Sequence, residues 1–103
     1  ADKEYDKAVN YCTSILQNCQ YSVKFNCLKV QYMLLAYQMK EANKFTNELM
    51  NRQSMQDNAQ IISWRGRVMV YSGNVTTGKQ LIQNALQRQP DLKEAAVAIK
   101  LIR

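Results

Sequence analysis

The sequence of 103 residues predicts an all-α fold in which about six helices pack as antiparallel pairs. Only 3 glycines and 1 proline interrupt a chain with 47% hydrophobic residues, a composition that suits helices joined by short connections. Apolar residues recur at the spacing of one helical face, and the pattern itself repeats about every 34 residues. A two-helix repeat of this length predicts stacked helix pairs, an α-solenoid.

Two helical templates alternate along the chain. The first has a small residue, a side chain of intermediate size four residues later, and an apolar pair seven and eight residues later. This template begins at Ala8. It recurs 34 residues later at Ala42, and again 36 residues after that at Gly78. The second template, Leu28-Lys29-Val30, recurs 36 residues later as Trp64-Arg65-Gly66. These offsets place successive helix pairs in equivalent positions.

Helix boundaries follow from the same periodicity and from residues that cap helix termini. We predict helices over residues 2–18, 23–37, 40–52, 58–72, 75–88 and 92–102. The predicted N-terminal caps are Ser22, Asp57 with Gln60, Asn74, and Asp91 with Glu94. The connection from Arg52 to Asp57 is the longest, and it absorbs the two extra residues of the second offset.

The repeat resembles the tetratricopeptide-repeat family along nearly the whole chain. Its last copy has the family's small residue, turn glycine, second-helix alanine and closing proline, which are Gly66, Gly73, Ala85 and Pro90. The resemblance implies a right-handed superhelix. Its parts would be a half repeat (1–20), two repeats (23–56 and 59–90) and a closing helix (91–103). This last helix either caps the array or begins another repeat.

The array is expected to begin with the second helix of a repeat. Tyr5, Val9 and Cys12 then stand where they would contact a missing first helix or a preceding repeat. We therefore expect apolar surface to remain open on this helix. The chain is expected to be a piece of a longer protein, or to self-associate through this half repeat.

In arrays of this kind the first helix of each repeat lines a concave groove. Spacings of three and four residues put two sets of side chains on that face. The candidate peptide-binding residues are Lys24, Leu28, Gln31, Leu35, Gln60, Trp64, Arg67 and Tyr71. The alternative is that the apolar members of this set are ordinary packing residues. Trp64 distinguishes the two interpretations, because an exposed ring would anchor a ligand and a buried ring would leave a mainly polar groove.

The best-known tetratricopeptide modules clamp the C-terminal carboxylates of heat-shock chaperones with lysine, asparagine and arginine side chains. At the matching positions this sequence has Lys24, but elsewhere it has Cys27, Gln31 and Trp64. The resemblance therefore does not extend to this carboxylate clamp.

Two short segments, Tyr5-Asp6-Lys7-Ala8 and Trp64-Arg65-Gly66-Arg67, are similar to the middle repeats of cytosolic co-chaperones that carry a C-terminal J domain. This resemblance implies a protein–protein interaction scaffold that links heat-shock chaperones with their clients. The implied partners are acidic chaperone tails or client segments. The implied location is the cytoplasm, with the nucleus as an additional compartment.

A formal net charge of +6 leaves a second class of function open. A nucleic-acid-binding helical repeat would use such a charge, but no three Lys or Arg residues adjoin in the sequence. We keep nucleic acid as the less favoured partner and interpret the charge as a preference for acidic protein partners. The longest apolar stretches fall short of the ~20 residues that cross a bilayer, so no membrane partner is expected.

Gly73–Gln80 nearly matches the phosphate-binding loop G-x-x-x-x-G-K-[ST], which makes nucleotide binding a remote alternative. Gln80 lacks the hydroxyl that ligates magnesium, and the two glycines also fit a helix turn and a helix contact. Cys12, Cys19 and Cys27 are expected to be buried free thiols. With 0 histidines, the chain has neither the usual general base nor a fourth strong zinc ligand, so we expect no enzyme, cofactor or metal.

Overall fold

A computed structural model describes the backbone of residues 2–101 and the side chains of residues 4–101. Within that range the predicted all-α repeat fold is confirmed, and no strand is present. The helices are α1 (Asp2–Leu16), α2 (Val23–Leu35), α3 (Met39–Met50), α4 (Ala59–Tyr71), α5 (Val75–Arg88) and α6 (Lys93–Leu101). Every boundary lies within two residues of its predicted position, except that Ile102, predicted in the last helix, lies outside the described residues.

The helices α2 and α4 occupy the centre of the molecule. They pack against each other, and each also packs against the helix before it and the helix after it. Short connections of three residues follow both α2 and α4, so the next helix returns antiparallel along the one just completed. The side of α2 and α4 that no other helix covers is left to form a surface shared by both.

Two apolar clusters hold the helices together. The first joins α2, α3 and α4 around Val30, Leu49 and Val68, and the second joins α4, α5 and α6 around Ile82 and Ala95. These five side chains have no exposed surface, so each contributes close to its full transfer free energy. The central helix α4 is therefore held from two sides.

The longest connection, between α3 and α4, is anchored to the first cluster. Met55 lies in its middle and is only 1% exposed. This connection was predicted to absorb two extra residues, and the thioether side chain explains how it does so without becoming an open loop.

The expected open surface on α1 is wrong at two of its three residues. Val9 and Cys12 are buried, and Tyr5 is partly covered because its ring stacks on Tyr32 with the ring centroids 6.4 Å apart. The register assigned these side chains to a missing neighbour, but α1 turns them onto α2 instead. On α1 the large apolar side chain that remains open is Tyr11.

The predicted caps have mixed outcomes. Ser22 caps α2, as predicted, because its hydroxyl accepts from the Phe25 amide at 3.3 Å. The Asp57 prediction is wrong: Asn58 caps α4 by accepting from two first-turn amides at 3.0 and 3.2 Å, whereas Asp57 pairs with Arg88 at 3.7 Å. Both residue types can cap a helix, and the chain places the amide one residue closer to the helix.

At the other two predicted caps, no side-chain cap is seen. Asn74 precedes α5 without a side-chain hydrogen bond to it. Asp91 stands two positions before α6, which begins at Lys93, so Leu92 occupies the place where the cap was expected to act.

The turns that end α2 and α4 have the same geometry at equivalent positions. Tyr37 and Gly73, 36 residues apart, both have positive φ, of 61° and 98°. In each turn the amide that follows donates to the carbonyl five residues earlier at 2.8 Å, which is the hydrogen bond of a Schellman motif. A tyrosine thus occupies a left-handed position that glycine fills in the next repeat.

We expect Tyr37→Gly to raise the free energy of unfolding by about 1 kcal/mol, because a side chain at left-handed φ is strained and glycine is not. The Tyr37 ring is 78% exposed, so little packing is lost. The midpoint of urea denaturation measures the change. Gly73→Ala is the matched control and should lower stability by a similar amount, because a side chain is strained at the φ of 98°. A Cβ there would meet nothing within 4 Å, so the loss would come from the backbone conformation alone. Unchanged midpoints in both variants would contradict this account of the turns.

Candidate peptide-binding groove

The exposed side of α2 and α4 has two adjoining clefts. The first, of about 460 Å³, we name the charged cleft. Its members from the predicted groove are Lys24, Leu28, Gln31, Gln60 and Trp64. The second, of about 290 Å³, we name the inner apolar cleft. Its members from the predicted groove are Gln31, Leu35, Trp64, Arg67 and Tyr71. The two clefts share Gln31 and Trp64, so the structure brings all eight predicted residues together.

The groove residues have the same spacing along α2 as along α4, and this explains the arrangement. The α2 members follow one another at four, three and four residues, and the α4 members repeat that spacing 36 residues later. Side chains at these intervals lie on one face of a helix. Because α2 and α4 pack side by side, the two faces adjoin and form one strip.

Trp64 forms the floor of the strip. Its side chain is 5% exposed and belongs to the first apolar cluster. The guanidinium carbon of Arg67 lies 4.3 Å from the centroid of the indole ring, within the range of a cation–π contact. The packing interpretation therefore holds for Trp64, which supports the surface and positions Arg67.

A buried Trp64 was expected to leave a mainly polar groove, and that expectation is wrong for the inner apolar cleft. Leu35 is 42% exposed and Tyr71 is 57% exposed, and both line this cleft. Tyr37 and Met39 line it as well. The groove therefore has a polar end near Lys24 and an apolar end near Tyr71.

Sequence reasoning missed the groove residues that come from α6 and the turn before it. Asp91, Leu92, Lys93 and Glu94 line the charged cleft opposite α2. The repeat register contained the signal, since Glu94 follows Gln60 by 34 residues. The candidate groove residues come from α2 and α4 alone, although the last helix could also be the first helix of another repeat.

The charged cleft is close to electrical balance. Lys24 and Lys93 face Asp91 and Glu94, and none of the four forms a salt bridge within the described part of the chain. Cys27 also lines this cleft, and burial raises the pKa of its thiol to about 12, with a further rise from the charge of Glu94. Cys27 is therefore a neutral thiol at physiological pH and offers no thiolate to a metal or an electrophile.

The three cysteines are free, but the prediction that all are buried is wrong. Cys12 and Cys27 are buried, whereas Cys19 is exposed beyond the end of α1. Its thiol lies 3.1 Å from the Ile15 carbonyl oxygen, so it stays beside the helix end rather than turning into the core.

In the folded chain at pH 8, we expect iodoacetamide to alkylate Cys19 and to spare Cys12 and Cys27. Cys27 should react at least about a hundredfold more slowly than Cys19. Burial raises the pKa of the Cys27 thiol, and each unit of that rise lowers its thiolate fraction about tenfold. Peptide mass spectrometry after timed quenching measures the three rates. In concentrated urea all three cysteines should react alike, and equal rates in the folded chain would contradict the burial of Cys27.

The strand required by the nucleotide-binding alternative is absent. Val68–Tyr71, which would have to be that strand, forms the last turn of α4, and Gly73 ends the helix. The described residues contain no cluster of three or more His, Cys, Asp or Glu that could hold a metal ion. Likewise, none of the helices within residues 2–101 has the length and apolarity to cross a membrane.

Comparison with known proteins finds one kind of similarity. The chain is 26% identical, over 96 residues, to the "DnaJ homolog subfamily C member 7 homolog" of Dictyostelium discoideum. The match covers 93% of this chain and 17% of that relative, so the chain spans about a sixth of the relative's length. No protein-family model matches the chain. No solved structure matches it either. The similarity agrees with the resemblance to J-domain co-chaperones that the repeats carry.

Proposed function

We propose that this chain is a protein-interaction segment of a co-chaperone-related protein and that it holds a peptide in the groove between α2 and α4. The observation that carries the proposal is the continuous strip formed by eight side chains that stand at equivalent positions on two neighbouring helices. The similarity to a DnaJ homologue supports the co-chaperone context. The partner is an acidic chaperone tail or a client segment, met in the cytoplasm or the nucleus.

The chemistry of the strip suits a peptide. Lys24 and Gln31 are exposed and supply hydrogen-bond donors to peptide carbonyls, while Leu35 and Tyr71 supply open apolar area. The buried ring of Trp64 keeps the floor rigid, which lowers the entropy lost on binding. Grooves of this kind combine polar contacts that orient a chain with apolar contacts that retain it.

Arg67→Gln is expected to weaken peptide binding by about tenfold, the loss expected when one charge-assisted hydrogen bond to a carboxylate is removed. The assay is an array of C-terminal tails of heat-shock chaperones and of client segments, followed by fluorescence polarisation on the peptides retained. Arg88→Gln is the matched control, because Arg88 pairs with Asp57 and lines neither cleft. If no peptide is retained, or if both variants bind equally, the groove is not the binding surface.

A further inference from the structure

A third cleft lies on the far side of α4 from α2. This outer apolar cleft, of about 270 Å³, lies where α4, the start of α5 and α6 meet. It is lined by Arg67, Val70, Tyr71, Val75, Ala98 and Leu101. Arg67 and Tyr71 also line the inner apolar cleft. These two side chains therefore form a ridge on α4 with an apolar cleft on each side.

Arg67 is the one charged side chain among the described residues that line the two apolar clefts. It also differs from the other arginines of the described chain. Arg52 donates to a backbone carbonyl, Arg65 donates to two side chains and a carbonyl, and Arg88 pairs with a carboxylate. Within the same residues, no salt bridge or hydrogen bond engages the Arg67 guanidinium. Its face lies on Trp64, which leaves its edge donors free for a carboxylate.

Open apolar surface gathers around the same ridge. Eight large apolar side chains are exposed among the described residues, and five of them line the two apolar clefts: Leu35, Tyr37, Tyr71, Val75 and Leu101. Patches of this kind on a folded surface mark interaction sites. The concentration on both sides of one cation points to a ligand with apolar groups on both sides of one anion.

Tyr37 gives independent support for the inner cleft. Its backbone is left-handed, at the position where the next repeat has Gly73, yet its ring lies at the cleft. Strained backbone conformations at non-glycine residues cluster at binding and active sites. Tyr37 combines this strain with an exposed ring that lines the space a ligand would enter.

From these contacts we propose that the ligand crosses α4 over Arg67 and presents one Asp or Glu between two apolar side chains. Neighbouring helices lie about 8–10 Å apart, so clefts on the two sides of α4 are separated by about 10 Å. An extended chain covers that distance in about three residues. The motif is therefore apolar, then acidic, then apolar, with the two apolar side chains three or four positions apart. This inference rests on the proposed function and specifies its ligand.

A run of acidic residues does not match the same surface. The ridge offers a single cation, and the charged cleft next to it already has two acids facing its two lysines. Additional carboxylates on the ligand would therefore meet a cleft in which two acids already offset the charge of the two lysines, and they would gain little net attraction. The surface selects one carboxylate with apolar neighbours.

Fluorescence polarisation with four labelled peptides tests this inference on the full chain. The parent peptide has one Glu between two Leu residues in a Gly/Ser background. In the second peptide the Glu is Gln, in the third both Leu residues are Ser, and in the fourth three consecutive Glu replace the motif. We expect the parent to bind, the second and third to bind about tenfold more weakly, and the fourth to bind no better than the third. With Arg67→Gln, the parent and the Gln peptide should bind alike.

A second variant separates the role of Tyr37 from folding. Tyr37→Gly should stabilise the chain and still lower its affinity for the parent peptide by about threefold or more. A purely structural residue would not give this pair of effects. Tyr11→Ala, an exposed tyrosine on α1, is the control and should leave affinity unchanged. Equal binding of the parent and Gln peptides, or preference for the three-Glu peptide, would overturn the motif but leave the groove in place. If these peptides and the chaperone and client array all fail to bind, the groove itself is wrong.

Discussion

Trp64→Ala is expected to lower the free energy of unfolding by about 4 kcal/mol, the largest effect of any single change considered for this chain. The indole is 5% exposed and packs in the same cluster as Val30, Leu49 and Val68. Removing it leaves a cavity between α2 and α4 that the surrounding helices cannot fill. Because domains of this size are stable by about 5–15 kcal/mol, the variant should be partly unfolded at moderate temperature. Urea denaturation followed by far-ultraviolet circular dichroism measures the loss.

Tyr71→Ala is the matched control for this prediction. Tyr71 lies on the same face of α4, seven residues later, but is 57% exposed, so its removal should change stability by no more than about 0.5 kcal/mol. Equal losses in the two variants would contradict the burial of Trp64. Trp64→Ala would also lower the affinity for a ligand, because it would unfold the groove. Trp64→Phe, which retains a ring under Arg67, is the variant suited to that purpose.

The helices could be predicted from the sequence because their periodicity is strong and the two-helix pattern occurs more than once. The same periodicity identifies which face of a helix a side chain occupies, and the eight residues that it groups line the two adjoining clefts. Periodicity does not indicate how deeply a side chain on that face is buried. Trp64 and Tyr71 occupy the same face of α4, yet one is buried and the other is open, because the cover over each depends on the neighbouring helix.

The features that the sequence predicted incorrectly depend on contacts between distant parts of the chain. Asp57 and Asn58 are equally suited to cap a helix, and Asp57 is engaged by Arg88, which lies 31 residues later in the sequence. Val9 was expected to be open because its partner was assumed to be missing, whereas α1 rotates it onto α2. The left-handed turn at Tyr37 contains no glycine that would predict it from the sequence. The signal for it is the equivalence of this position with Gly73 in the next repeat.

Gly78→Val is expected to destabilise the chain by about 3 kcal/mol, because α4 and α5 are in backbone contact at Gly78 and Gly66. A Cβ placed on Gly78 would lie 2.5 Å from the Gly66 carbonyl oxygen, and one on Gly66 would lie 2.7 Å from the Gly78 carbonyl oxygen. Backbone atoms cannot move aside without separating the helices. The groove ridge is on α4, so peptide affinity should fall with stability. Urea denaturation and fluorescence polarisation measure the two effects.

Thr77→Val separates this contact from the effect of placing a β-branched residue in α5. Thr77 is exposed one position earlier, and its replacement should change stability by no more than about 0.5 kcal/mol. If Gly78→Val were as mild as Thr77→Val, the glycines would not be explained by helix contact. The phosphate loop would then need to be reconsidered, and ATP with magnesium should raise the melting temperature. A large loss confined to Gly78→Val, with no response to ATP, assigns Gly78 to packing and makes the α4–α5 contact the support on which the Arg67 ridge depends.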